Sequence, residues 1–170
     1  MNALKPAAIS LKLSIILWGI LLGGIVYSHL VFFRVYLSAL PNSAILVTGP
    51  YGIHEGIFWA VIHPVLILSL IVSLVLNWKY RWRRMLILIP IVVYAVMLVV
   101  STLYFVPELY AFADSARSTV TPAEWLARGQ RWQRLSWLRG FIMFLCFLPL
   151  LLALESPIPA PEIEPDPLEL

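Results

Sequence analysis

The sequence predicts an all-α membrane protein, a four-helix bundle with a long, protruding fourth helix and a disordered C-terminal tail. Three observations support this prediction. Hydrophobic residues make up 61% of the 170 residues and charged residues only 12%, against about 25% charged residues in a soluble domain. The hydrophobic residues lie in four runs, each close to the ~20 residues that cross a bilayer. A strong helix-start signal stands well ahead of the fourth run.

The apolar runs define one transmembrane domain over residues 1–154. We place its spans at about 11–33, 57–77, 85–106 and 136–154. Lys5 and Lys12 precede the first run, as they would in a signal peptide, but the run is too long and no small-residue cleavage site follows it. We therefore interpret the first run as a retained span. Pro64 and Pro90 lie inside spans two and three, where membrane helices tolerate proline.

The fourth helix has the clearest start. Thr121 is followed by proline and, two residues later, by Glu124, which together form a capping box with proline at the first helical position. A helix from Thr121 to about Leu154 is roughly 50 Å long at 1.5 Å per residue, so its first turns must stand in the interface or outside the membrane. The tail, 155–170, contains five prolines and five acidic residues, and we expect it to be disordered.

Several functional classes are excluded or favoured by composition. Cys146 is the only cysteine, which excludes an intrachain disulfide, a CxxC redox motif and a cysteine metal cluster. A net charge of +3 is too small to indicate nucleic-acid binding.

The short turn at 78–84 carries four basic residues and two tryptophans. This basic turn favours a multi-pass protein of the bacterial inner membrane with both termini in the cytoplasm.

Ionisable residues on the membrane side opposite the basic turn come from all four helices. They are His29, His54, Glu55, His63, Glu108 and Arg139. Trp132 lies on the same helical stripe as Arg139, seven residues before it. Charged and titratable groups are costly inside a membrane, so this one-sided distribution predicts a functional site.

Structural explanations compete with a site. Glu55 and the histidine before it could stand in the wet interface. Glu108 could form a structural ion pair with Arg139. The two histidines within spans one and two could be satisfied by backbone groups or by the hydroxyls of Tyr27 and Tyr104.

The last third of the chain resembles a known family. Residues 105–109 read Phe-Val-Pro-Glu-Leu, and residues 131–139 read Arg-Trp-Gln-Arg-Leu-Ser-Trp-Leu-Arg. With the number and order of spans over about residues 10–154, these segments resemble a large family of four-helix membrane proteins that includes the anthrone oxygenases. The matching positions are Pro107, Trp132 and Arg139.

Two positions depart from the family pattern. Glu108 stands where the family tends to have asparagine, and Ser136 and Trp137 occupy a region in which histidine is often found. The resemblance implies the four-helix fold more than it implies an activity.

The resemblance also implies oxidation of a lipophilic aromatic or quinone-like molecule without a cofactor. Such chemistry needs a positioned base and a cation for the developing oxyanion. We hypothesise that His63 or Glu108 is the base and that Arg139 is the electrostatic partner. We assign substrate binding to His29, Glu55 and Trp132, and we assign no cofactor-binding residue. Which cofactor or metal the protein holds, if any, is left open.

Two other functions stay open. Three histidines and two glutamates on one side supply enough ligands for a metal or haem site, although no HxxxH or ExxH spacing occurs. The chain could instead be a non-catalytic accessory or scaffolding subunit that binds a protein partner through its acidic tail, or a homo-oligomer. Membrane lipids and a lipophilic small molecule are the expected partners, and nucleic acid is not.

Overall fold

The computed structural model describes residues 4–157, with side chains from Pro6 onward. This range is helical, contains no strand and includes four helices that are long and apolar enough to cross a membrane. We number them spans one to four, and they are Pro6–Tyr36, Gly56–Leu76, Arg81–Ala113 and Pro122–Glu155. The predicted all-α four-helix fold is confirmed. The tail predicted to be disordered lies outside the described residues beyond Pro157.

Three of the four spans contain more than one helical segment. In chain order the segments are α1 (Leu4–Tyr27), a π turn (Ser28–Phe32), α2 (Phe33–Tyr36), α3 (Gly56–Leu76), α4 (Arg81–Val100), a second π turn (Ser101–Phe105), α5 (Val106–Ala113), α6 (Pro122–Leu145) and α7 (Phe147–Glu155). Short 3-10 helices occupy the loops after spans one and three, at Asn42–Leu46 and Ser115–Arg117.

The fourth helix begins as the sequence predicts, at the Thr121 cap, and then breaks once. The Thr121 hydroxyl accepts a 3.3 Å hydrogen bond from the Glu124 backbone N–H, and the Thr121 N–H donates to the Glu124 carboxylate at 3.0 Å. The helix is interrupted at Cys146. Pro149 has no N–H to offer the Leu145 carbonyl four residues earlier, which explains the interruption.

Span three continues past its predicted end at Val106 and reaches Ala113. Pro107 cannot donate to the carbonyl of residue 103, and a π turn occupies the five residues before α5. A π turn widens the helix locally and lets it resume beyond the proline. Span three therefore extends beyond the apolar run, as span one does.

The long ends of three spans build a second core. It contains Phe32, Phe33, Tyr36, Leu37, Leu40, Phe105, Phe112, Trp125 and Trp132, and it is separate from the core nearer the basic turn. Gly129 lets the end of span one approach α6 closely, because a Cβ there would stand 3.2 Å from the Leu37 carbonyl. The protruding start of the fourth helix is thus packed rather than isolated in water.

At the basic turn, Arg83 is a buried anchor rather than a surface charge. It is only 5% exposed and donates hydrogen bonds to the carbonyls of Ser156 at 2.7 Å and Leu154 at 3.1 Å. It also donates to Asn77 Oδ1 at 3.4 Å, and Asn77 in turn donates to the Ala7 carbonyl at 3.1 Å. These bonds connect all four spans at this end.

Candidate functional site

A cavity of about 840 Å³ lies among the four spans at the end opposite the basic turn. Its wall is mostly aliphatic and aromatic. The polar side chains that line it are His29, Tyr36, His54, Glu55, His63, Tyr94, Ser101, Tyr110 and Arg139. Small-molecule sites typically have volumes of roughly 300–1,000 Å³ and combine apolar walls with a few placed polar groups. The cavity is therefore the candidate functional site.

The structure brings together five of the six site residues that the sequence predicts. His29, Glu55, His63, Trp132 and Arg139 all line the cavity. They come from spans one, two and four and from the residue just before span two. The convergence depends on the second core, since that core holds the ends of the spans around the same space.

Arg139 is positioned by uncharged groups. Its guanidinium donates to the hydroxyls of Ser101 at 2.8 Å and Ser136 at 3.0 Å, and it lies 4.2 Å from the centre of the Phe105 ring. Neither of the ion pairs found within residues 4–157 includes Arg139. A guanidinium has five N–H donors, so Arg139 keeps donors and an unneutralised positive charge for an oxygen atom of a ligand.

His29 has one buried ring nitrogen without a hydrogen-bond partner in the described residues. Its Nδ1 lies 2.8 Å from the Ile25 carbonyl, which can only accept, so Nδ1 carries a proton. The residue is 2% exposed, and Nε2 is buried with no hydrogen-bond partner in the described part of the chain. Trp137 and Phe33 hold the ring, with centroid distances of 4.7 and 5.6 Å. When the ring is neutral, Nε2 is therefore an unsatisfied hydrogen-bond acceptor in a residue that lines the cavity.

His63 shares a hydrogen bond between its Nδ1 and the Tyr94 hydroxyl, and its ring stacks on Trp59 at 5.7 Å. The expectation that backbone groups or tyrosine hydroxyls satisfy the two intramembrane histidines is confirmed, because His29 bonds the Ile25 carbonyl and His63 bonds a tyrosine hydroxyl. The tyrosine is Tyr94, so the choice of Tyr27 and Tyr104 is wrong. A sequence signal for Tyr94 existed. Residues 94, 97, 101 and 105 recur every three or four positions, and all four line the cavity.

Glu55 stands just outside span two. The Ser28 hydroxyl donates to its Oε1 at 2.9 Å. Burial raises the pKa of the Glu55 carboxyl above its ordinary value, and the Ser28 hydrogen bond opposes this shift without cancelling it. The protein therefore favours the protonated carboxyl more than water does.

Both π turns begin with a serine that contacts an ionisable group of the site. Ser28 binds Glu55 and Ser101 binds Arg139, while the backbone carbonyl of each serine accepts from the N–H five residues later. The carbonyl of Phe105, at the end of the second π turn, accepts a 3.1 Å hydrogen bond from Trp132 Nε1. Sequence reasoning missed both serines, because helical spacing does not reveal where a π turn forms.

Glu108 is not part of the cavity. Its carboxylate accepts two hydrogen bonds from Arg128, at 2.8 and 3.2 Å, and the two side chains are 23% and 39% exposed. The expected pairing of Glu108 with Arg139 is therefore wrong, and Glu108 does not line the cavity that contains His63 and Arg139, the other two residues predicted to be catalytic. The extra residue of the preceding π turn rotates α5 side chains by about 100° relative to an uninterrupted helix.

Metal ligands do not converge in the same way. In residues 4–157, no three side chains of His, Cys, Asp or Glu lie close enough together to hold a metal ion. His29 and His63 line the cavity from different spans. His29 bonds the Ile25 carbonyl and His63 bonds the Tyr94 hydroxyl. The metal alternative therefore has no ligand set in the described part of the chain.

The chain was also compared with other proteins. Comparison with family sequence models, with characterised proteins and with solved structures found no match. The geometry of the cavity is therefore the basis for a functional proposal.

Proposed function

We propose that this chain is a multi-pass protein of the bacterial inner membrane, with both termini in the cytoplasm, that binds and oxidises a lipophilic aromatic molecule bearing a carbonyl oxygen. One observation carries this proposal. The guanidinium of Arg139 lies in a largely apolar cavity and has no acidic partner within residues 4–157. A carbonyl or phenolic oxygen satisfies its free donors, and the apolar wall accepts the rest of the molecule.

The aromatic side chains of the wall favour a flat, aromatic ligand. Phe33 and Phe105 pack on Trp132 at centroid distances of 4.6 and 5.6 Å, and His29 stacks on Trp132 with an angle of 15° between the rings. Trp59 contributes a further ring from span two. Offset stacking and edge contacts with such a wall stabilise a planar ring by roughly 0.5–1.5 kcal/mol for each contact.

The groups in the cavity suit proton abstraction next to a carbonyl. Nε2 of His29 takes a proton from an acidic C–H of the ligand, the C–H electron pair forms a C=C bond, and the carbonyl oxygen takes the negative charge. Arg139 stabilises this enolate. Dioxygen is the proposed oxidant, and for anthrone the overall change is anthrone plus dioxygen to anthraquinone plus water.

Two further observations support this proposal. The segments around Pro107, Trp132 and Arg139 resemble the anthrone oxygenase family, and we propose that the chain belongs to it. In place of Glu108, the cavity offers His29 as the base, with His63 and Tyr94 forming a second polar pair beside the ligand. No cofactor is needed for an electron-rich enolate to react with dioxygen.

The test uses the full chain in lipid nanodiscs with anthrone as substrate and oxygen uptake and anthraquinone absorbance as readouts. We expect His29→Gln to lower turnover about 10²–10⁴-fold, the usual range for loss of a general base. Arg139→Gln should weaken binding about tenfold or more, because it removes charge-assisted hydrogen bonds of about 1.5–3 kcal/mol. Arg134→Gln, an exposed change on the same helix, is the matched control.

The outcomes separate the alternatives. Full activity in folded His29→Gln and Arg139→Gln proteins would overturn the proposed site. No turnover and no ligand binding in the wild-type protein, together with a stoichiometric partner in the purified sample, would favour the accessory-subunit alternative.

A further inference from the structure

The walls of the cavity differ in exposure. Lining residues from spans one and four are buried, apart from Arg139, which is half-buried. The exposed lining residues lie on span two, on the residues just before it, and on span three. They are Ile53, His54, Gly56, Ile57, Ala60 and Pro64 on one side and Val106 and Tyr110 on the other. The cavity is thus closed toward spans one and four and open along a seam between spans two and three.

The depth of the seam shows which solvent it meets. Span two has 21 residues, about 31 Å at 1.5 Å per residue, which is close to the thickness of the hydrocarbon core. Pro64 lies eight residues after the helix start at Gly56, or about 12 Å into that thickness. The exposed lining residues within span two are Ile57, Ala60 and Pro64, and none has a polar side chain. The span-two side of the seam therefore faces acyl chains over about two fifths of that thickness.

The main polar groups lie deeper in the cavity than these exposed residues. His29 and Arg139 come from spans one and four, the closed side of the cavity, whereas Ile57 is 68% exposed and Val106 is 42% exposed at the open side. A molecule that enters through the seam passes an apolar opening first and meets the hydrogen-bonding groups only at the bottom. This order suits a ligand that leaves hydrocarbon, because the part of the opening on span two carries no polar side chain, and the exposed polar residues His54 and Tyr110 lie nearer the loops.

We propose that the ligand is a membrane-dissolved molecule that enters sideways from the bilayer, with its polar head at Arg139 and any apolar tail left in the seam between spans two and three. This inference rests on the proposed function, because it needs a ligand with an oxygen-bearing head. It adds the substrate class, a lipid-partitioned molecule, and it predicts that the seam controls the rate of entry.

The experiment uses the full chain in nanodiscs and a decyl-substituted benzoquinone as the probe. Quinones quench tryptophan fluorescence, and Trp59 and Trp132 line the cavity, so stopped-flow quenching reports entry and release. We expect Ala60→Phe, which narrows the seam, to slow both entry and release about tenfold while the Kd changes by less than about threefold. Val106→Phe, on the span-three side of the seam, should also slow entry and release.

Leu68→Phe is the matched control, since Leu68 is 64% exposed on the same span and does not line the cavity. Its rates should stay within about twofold of those of the wild-type protein. Val47→Phe tests entry from the aqueous loop, because Val47 lines the cavity outside the spans. It should slow entry much less than Ala60→Phe does.

Two failures can be told apart. If the wild-type protein shows no saturable quenching, the proposed function fails together with the inference. If the wild-type protein binds the probe while folded Ala60→Phe and Val106→Phe exchange it at the wild-type rate, lateral entry is wrong and the proposed function survives. Slow entry only in Val47→Phe would show that the ligand arrives from water.

Discussion

Arg139 Nη1 donates a 2.8 Å hydrogen bond to Ser101 Oγ, and this bond joins the fourth span to the π turn of the third. The guanidinium also lies over the ring of Phe105, four residues further along the same turn. One irregular turn therefore fixes both the direction and the packing of the cavity's permanent positive charge. This arrangement makes Ser101 a positioning residue for any ligand bound by Arg139.

Ser101→Ala should weaken binding of the decyl-benzoquinone about tenfold, because a hydrogen bond to a charged group typically contributes about 1.5–3 kcal/mol. Equilibrium fluorescence quenching in nanodiscs measures the Kd. Ser101→Thr keeps the hydroxyl and should restore most of the affinity. Thr102→Ala is the control, since Thr102 is exposed and its hydroxyl bonds only the Leu98 carbonyl. Equal affinities for Ser101→Ala and wild type would contradict the positioning role.

Glu108→Gln should leave anthrone turnover and quinone affinity unchanged within about twofold, because the carboxylate faces Arg128 outside the cavity. The cost in stability should be small, about 0–1 kcal/mol, as for other partly exposed ion pairs. Steady-state oxygen uptake and a thermal melt measure the two effects. A loss of turnover of tenfold or more in a normally folded variant would return Glu108 to the catalytic site.

Glu55→Gln should raise the melting temperature at neutral pH by a few degrees at most. Burial raises the pKa of the Glu55 carboxyl in the folded state, so ionised Glu55 costs stability at pH values above that raised pKa. As the pH falls through the folded pKa toward the ordinary value of 4.5, the wild-type carboxyl takes up its proton and the cost disappears.

The advantage of Glu55→Gln should therefore be largest near pH 8 and vanish near pH 4.5. Thermal melts of both proteins across this range measure the difference. The glutamine carbonyl can still accept the hydrogen bond from Ser28, which makes it a conservative substitution. An advantage that grew as the pH fell would contradict the assigned direction of the pKa shift.

Arg83→Gln should destabilise the bundle by about 2–4 kcal/mol, since it removes hydrogen bonds from a buried cation to two carbonyls at the end of span four. The expected fall in melting temperature is about 5–15 °C for a chain of this size. Arg81→Gln, in the exposed part of the same turn, should change the melting temperature by no more than about 2 °C. Similar melting temperatures for both variants would contradict the anchoring role.

Much of the architecture was predictable because it follows from local sequence and from the bilayer as a solvent. A backbone in hydrocarbon must satisfy its own hydrogen bonds, so four apolar runs imply four helices. The capping box at Thr121 fixes a helix start through contacts between residues three positions apart. The one-sided placement of His29, His63 and Arg139 along their spans also follows from topology, and the structure brings all three to one cavity.

Tertiary structure decided which of these groups face one another. The second π turn shifts the helical phase of α5, which turns Glu108 toward Arg128. The first residue of that turn, Ser101, accepts a hydrogen bond from Arg139. No periodicity in the sequence predicts such a shift. Arg83 appears in the sequence as one of four basic residues, and only the approach of span four buries it. Sequence alone thus determined the elements and their order. Contacts between distant spans determined the chemistry of the site and the seam through which a ligand reaches it.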